Sequence, residues 1–362
     1  MFPVIEITGA PFERGRMHGE LARSRVERSL ASYQRLFAYC GLGWDEAQRR
    51  GQAHRDSIGA FDAALLEEIE GIARGSGRKQ EEILALNART EILPAKYLRG
   101  GDKGECTAIA VNPAASTTGG TLLAQNWDWL GGQREALVLL RVPEHEGPAY
   151  LALTEAGMLS KIGLNAAGFG VCLNILSSVH DGSKAGLPVH VLLRALLRCA
   201  SVQDAIKLAA KLDFTGSSNV LCAERGGETA SLELSPKGCR VVRGDGATLC
   251  HTNHFLDSEA RAWQSPLADF LSSEPRLACA QRHAASRRKH GIEDLKRLLR
   301  DETLGLQSIC RKPDASLPEE GRIESVASVI MELGRGVMHI APDIPARTEY
   351  QPVALAGEPV AA

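Results

Sequence analysis

At Cys106 the hydrophobic rhythm of the chain changes. Before it, apolar residues recur at helical spacing; after it they come in short, strand-like runs. The two regimes meet at Lys96–Glu105, KYLRGGDKGE, whose charge and glycine content predict an exposed loop. A chain with this break is expected to build sheets covered by helices.

The helical part starts near Pro11, with Phe12, Met17, Leu21 and Val26 on one side. A second amphipathic stretch is predicted from Trp44 to about Arg74, carrying Phe61, Leu65, Ile69 and Ile72 inward. A third runs from Gln80 to Glu91. Strands are predicted at Thr107–Val111, Thr121–Trp129, Ala136–Val142, Ala149–Thr154, Ser160–Leu164 and Gly168–Leu176. Helical spacing returns at Val189–Ala200 and Val202–Leu212. Strands follow at Asn219–Ala223, Thr229–Leu234, Arg240–Val242 and Thr248–Thr252. The stretch Ser258–Arg300 reads as helical, and Ser325–Leu333 and Val337–Ala341 as closing strands. Two stacked antiparallel sheets, each with helices on its outer face, fit this order. So do other α+β layouts.

Composition excludes several classes. With 44% hydrophobic and 24% charged residues, the 362-residue chain is neither collagen-like nor disordered. Forty-two basic against 44 acidic residues leave a net charge of −2, without the basic surplus of a nucleic-acid binder. No apolar run approaches the roughly 18 residues of a membrane span, and the first residues lack a secretory pattern. The expectation is a cytoplasmic protein with no membrane partner. Nine cysteines, an odd number with no CxxC pair, favour reduced thiols over a disulfide framework or a structural zinc site. No metal or other cofactor is expected.

Five places carry chemistry. Cys106 follows the loop directly. A cut before it would leave a thiol and an α-amine on one residue, and that amine, titrating near about 7.7–8.0, can serve as the thiol's base. The alternative is a buried strand cysteine. In Gln125-Asn126-Trp127-Asp128-Trp129, a carboxylate between two indoles suits the holding of an amine; a capped turn is the alternative. His251-Thr252-Asn253-His254 offers a pair of histidines that could hold zinc, but Asn253 is the better candidate, as an oxyanion donor. Arg311, in Ser308-Ile309-Cys310-Arg311, could lower a thiol's pKa or bind a carboxylate, or make a surface ion pair. Asn174 is a second amide donor or a turn residue.

Seven blocks, in order, turn these pieces into a family resemblance: GAPFERGRMHGE (Gly9–Glu20), EEILALNARTE (Glu81–Glu91), GECTAIAV (Gly104–Val111), AQNWDW (Ala124–Trp129), TEAGMLSKIGLNAAGFGV (Thr154–Val171), HTNH (His251–His254) and SICR (Ser308–Arg311). Together they resemble the isopenicillin N acyltransferase family of cysteine N-terminal-nucleophile (Ntn) hydrolases. The resemblance implies an α+β fold, a four-layer αββα Ntn-hydrolase sandwich with an N-terminal helical segment. It implies autocatalytic cleavage of a zymogen between Glu105 and Cys106, giving a small helical subunit, 1–105, and a large catalytic one, 106–362, that stay associated. Cys106 would be the nucleophile, Asp128 the acid orienting its amine and Asn253 the oxyanion amide. Asn174 and Arg311 are further catalytic candidates, and Trp127, Trp129 and Ser308 substrate-binding ones. One departure concerns the cut: the penicillin-forming member carries glycine before the scissile bond, where this chain has Glu105. The implied activity is hydrolysis or acyl transfer at the amide of a small N-acyl amino acid or short peptide. A coenzyme A-dependent acyltransferase and an uncut binding protein on the same fold are the alternatives. The implied partners are a small amide or acyl donor and the second fragment, with a homo-oligomer possible.

Overall fold

The computed structural model describes residues 1–93, 106–145, 147–244, 246–266 and 272–357. The predicted loop at 96–105, and Glu105 with it, lie outside the described residues.

The first segment opens with a strand, β1 (Val4–Glu6), then helices α1 (Pro11–Leu21), α2 (Arg23–Tyr39), α3 (Trp44–Gln52), α4 (Arg55–Phe61), α5 (Ala63–Ser76), α6 (Gln80–Asn87) and α7 (Arg89–Ile92). The stretch predicted as one element from Trp44 to Arg74 is therefore three. Asp62 restarts the chain: its backbone is extended and its Oδ1 accepts the Ala64 N–H at 3.0 Å, capping α5. Helices α1 and α5 meet backbone to backbone through glycines. A Cβ on Gly15 would lie 2.0 Å from Glu68 O, and one on Gly75 2.0 Å from Arg16 O. This contact accounts for Gly15 and Gly19 of the first sequence block. It is tied by Arg14, whose guanidinium meets Glu68 at 2.7 Å with both side chains buried.

From residue 107 come β2 (Thr107–Val111), β3 (Leu122–Leu130), β4 (Leu137–Val142), β5 (Tyr150–Glu155), β6 (Ile162–Asn165) and β7 (Phe169–Ile175). Helices α8 (Val189–Leu196) and α9 (Val202–Ala209) follow, then β8 (Ser218–Glu224), β9 (Thr229–Ser235), β10 (Gly238–Val242) and β11 (Thr248–His251). Helices α10 (Ser273–Ala285) and α11 (Ile292–Leu299) precede β12 (Ile323–Glu332), β13 (Val337–Ala341) and β14 (Gln351–Ala354). The predicted helical stretch Ser258–Arg300 is shorter than expected. Asp257 Oδ1 takes the N–H groups of Glu259 and Ala260, so only a tight turn forms there.

The strands form two sheets, ordered β1-β4-β5-β6-β7-β8-β9-β10 and β11-β2-β3-β12-β13-β14. All neighbours are antiparallel except β1 and β4. The strand β1 adds one strand to the mainly helical first segment: Val4 pairs with Leu139 at the edge of the larger sheet. Three residues are too few to show a period in sequence. The sheets face each other through β2, β3, β7 and β8. Helices α2 and α9 cover the larger sheet, and α10 and α11 the smaller one. The result is a four-layer αββα sandwich. No helix among the described residues is long and apolar enough to cross a membrane.

Candidate active site

Alternation along β2 sorts its side chains. Cys106, Ala108 and Ala110 join the core between the sheets, and Ile109 and Val111 face α10 and α11. Cys106 thus stands at the inner end of the first strand of the smaller sheet, buried. Three side chains hold its backbone. Its N–H donates to Asn253 Oδ1 at 2.8 Å. Its carbonyl accepts from Asn174 Nδ2 at 3.0 Å and Arg276 Nη1 at 2.8 Å.

Arg276, on the first turn of α10, is the residue that sequence reading missed. Its buried guanidinium also donates to Thr107 Oγ1 at 2.9 Å and Asn253 Oδ1 at 3.0 Å. Two donors on its oxygen, and Asn253 Nδ2 donating to Ile175 O at 2.8 Å, leave no ambiguity about which end of the amide is which. No local pattern around Arg276 marks it, because its partners are distant in sequence.

Asp128 lies on the neighbouring strand, where a β-bulge interrupts the pairing of β3 with β12. Ser325 pairs with Asp128 and Ala327 with Trp127, leaving Val326 extra. Ser325 Oγ donates to Asp128 Oδ1 at 2.6 Å and accepts the Arg311 N–H at 2.9 Å. The Asp128 carbonyl lies 4.0 Å from Cys106 Sγ. The bulge therefore brings Asp128, Ser325 and Arg311 together beside the nucleophile candidate.

The tryptophans hold cations. Lys161 Nζ sits 4.0 Å from the centre of the Trp127 ring and 6.0 Å from that of Trp129. The Arg89 guanidinium lies 4.5 Å over Trp129, and Trp129 Nε1 donates to the Tyr33 hydroxyl at 3.0 Å. That hydroxyl in turn donates to Glu155, which Arg89 meets at 3.4 Å. The turn leading to Lys161 is held by the helical segment, since Asn87 bonds Gly157 O and Leu159 N, both at 2.9 Å.

Burial pushes the Cys106 thiol up to about 11. The Asp128 charge adds to the rise, while Lys161 and Arg276 oppose it. Burial pushes the Lys161 ammonium down to about 7, with Arg89 acting in the same direction and Glu155 and Cys106 against it. The thiol is therefore neutral near pH 7.

The remaining candidates have local partners. Ser308 Oγ accepts the Leu304 N–H at 2.9 Å. His251 Nε2 meets Glu233 at 2.8 Å, and His254 Nδ1 meets Ser273 Oγ at 2.7 Å. The two rings of the His-Thr-Asn-His motif thus face different partners.

Residues 116–333 match the family model for acyl-coenzyme A:6-aminopenicillanic acid acyl-transferase. The chain is 32% identical over 313 residues to the 40 kDa form of acyl-coenzyme A:6-aminopenicillanic-acid-acyltransferase of Emericella nidulans, covering 84% of this chain and 83% of the relative. The chain belongs to this acyltransferase family. Within the family match lie Asp128, Asn174, Asn253, Arg276, Arg311 and Ser325. The fold is also similar to a solved variant of conjugated bile acid hydrolase from Clostridium perfringens. The TM-score is 0.51 at 12% identity, over 70% of this chain and 94% of that one. The protein is an enzyme of the Ntn-hydrolase fold, acting as an amide hydrolase or acyltransferase.

Proposed function

We propose that the chain cuts itself between Glu105 and Cys106 and then works as a cysteine amidohydrolase on small N-acyl compounds, through a Cys106 thioester. The observation that carries this reading is the hold on Cys106. Asn253, Asn174 and Arg276 fix the backbone of one buried cysteine at the start of a strand. Such a clamp leaves the thiol only its side-chain rotation and suits attack from a fixed point.

The cut supplies the base. A thiol pushed up to about 11 is a poor nucleophile near pH 7. Scission turns the Cys106 amide into an α-amine, titrating near about 8, on the same residue. That amine takes the thiol proton as the sulfur attacks the amide carbonyl, and returns it to the leaving amine. Asn253 Nδ2 stabilises the oxyanion. Asp128, held by Ser325, balances the charge of the ammonium. Water then releases the acyl group, or an amine accepts it.

The fragments 1–105 and 106–362 stay together without a covalent link. One continuous core contains residues from both. Buried contacts cross between them as well, among them Tyr33 to Glu155 and His18 Nε2 to the Gly157 N–H at 3.2 Å. The substrate class is a small N-acyl amino acid or short-peptide amide. Acyl transfer from coenzyme A is the second reading, favoured by the Emericella relative.

Intact-mass measurement and N-terminal sequencing of the purified protein test the cut. Two chains are expected, the larger beginning at Cys106. A single uncut chain, or a Cys106→Ala protein that still splits, overturns the reading. A panel of N-acyl amides, with and without acyl-coenzyme A and free amine acceptors, then separates hydrolysis from transfer.

A further inference from the structure

Away from Cys106, Cys279 and His283 stand four residues apart on α10 and so share one face of the helix. Asp301, just beyond the end of α11, meets them. Their candidate ligand atoms, the thiol sulfur, an imidazole nitrogen and a carboxylate oxygen, all lie within 4.8 Å of one another. We propose that Cys279, His283 and Asp301 form a binding site for a zinc-class divalent ion, apart from the catalytic centre.

The ligand set and its surroundings favour this. Sulfur with nitrogen and one carboxylate suits zinc or cobalt and not the oxygen-only shells of magnesium or calcium. Zinc bond lengths of about 2.0–2.3 Å place tetrahedral ligands about 3.5 Å apart. The three atoms need only small side-chain rotations to reach that spacing. His283 Nε2 and Asp301 Oδ2 are already 3.0 Å apart. The other carboxylate oxygen is held from outside, since Asp301 Oδ1 accepts from Thr303 N at 3.1 Å and Thr303 Oγ1 at 2.7 Å. Such an outer partner orients a ligand for its ion. The His283 side chain is 33% exposed and gives the ion an entry, while Cys279 is buried.

The position gives the ion a consequence. Cys279 is one turn beyond Arg276, which holds the Cys106 carbonyl. The segment around Asp301 leads to Arg311, and its Leu299 and Ile309 carbonyls both accept Asn126 Nδ2 at 2.8 Å. An ion here staples α10 to that segment, joining the two pieces that bring Arg276 and Arg311 to the site.

Cobalt(II) titration of the full chain under anaerobic conditions tests this, in wild type and in Cys106→Ala, which lacks the nucleophile thiol. One ion per chain and a thiolate-to-cobalt charge-transfer band are expected in both. The band is expected to vanish in Cys279→Ser, and affinity to fall about 10–100-fold in His283→Gln. Zinc is expected to raise the melting temperature of wild type and not of these variants. Asp301→Asn, on the more open side, gives an independent loss of affinity should Cys279→Ser fail to fold. No band in wild type, a band unchanged in Cys279→Ser, or one lost in Cys106→Ala overturns the site.

Discussion

The Cys106 N–H and Asn253 Oδ1 meet at 2.8 Å across 147 residues of chain. The same oxygen takes Arg276 Nη2, so the amide that holds the backbone of the candidate nucleophile is itself held. Its Nδ2 thereby points to the opposite side, where one of its two hydrogens goes to Ile175 O. Replacing Asn253 with Ala is expected to lower kcat about 10²–10³-fold, the usual cost of an oxyanion donor. Asn253→Asp restores an acceptor for Cys106 but not the donor, and is expected to remain as slow. Steady-state kinetics on any amide that wild type hydrolyses decide this. Wild-type kcat in either variant removes Asn253 from the mechanism.

Arg276 acts through other groups. Arg276→Gln deletes charge-assisted hydrogen bonds to Cys106 O, Thr107 Oγ1 and Asn253 Oδ1, each in a buried setting. A destabilisation of at least about 3 kcal/mol is expected, since bonds to a charged group contribute about 1.5–3 kcal/mol each, three are deleted and Gln keeps part of one. Self-cleavage, followed by gel over time, is expected to slow at least tenfold in protein that remains folded by circular dichroism. Unchanged cleavage in folded Arg276→Gln would assign the residue to stability alone.

His18 predicts a pH dependence of stability. Burial holds its imidazole down at about 4, against an ordinary 6.5, although Glu68 pulls the other way. Folded His18 stays neutral where the unfolded chain takes up a proton. Its contribution is therefore full above pH 6.5 and is lost as pH falls from 6.5 to 4, by about 3 kcal/mol. Urea unfolding across that range is expected to show the loss. His18→Gln, which keeps an acceptor for the Gly157 N–H, is expected to flatten it. Parallel curves for the two proteins would contradict this assignment.

The glycine contact between α1 and α5 leaves no room for a methyl group. Gly75→Ala is expected to destabilise by about 1–3 kcal/mol or more, because the obstructing atom, Arg16 O, belongs to backbone. In an ordinary exposed helix the same change is stabilising. Thermal unfolding gives the sign directly, and a raised melting temperature would show that the two helices separate easily.

Much of this protein was legible in order along the chain. The switch from helical to strand periodicity at Cys106, the strand run at Thr107–Val111 and the motifs around Asp128 and Asn253 are local signals. The edge strand β1 and the breaks at Asp62 and Asp257 escaped, because a three-residue strand has no period and a capping carboxylate looks like any helix-face acid. Arg276, Ser325 and Lys161 escaped as site residues for a different reason: each acquires its role from partners far away in sequence.

The sequence by itself determined the candidate nucleophile, the order of helical and strand segments and the family, because hydrophobic period and short motifs are properties of neighbours in the chain; periodicity left the layering open among α+β layouts. Only the tertiary structure decided how the candidate nucleophile is held. The bulge at Val326 turns Ser325 onto Asp128, and α10 delivers Arg276 to Cys106 O. These contacts join segments 170 and more residues apart, and such pairings exist only once the sheets have closed on each other and the helices have packed on their outer faces.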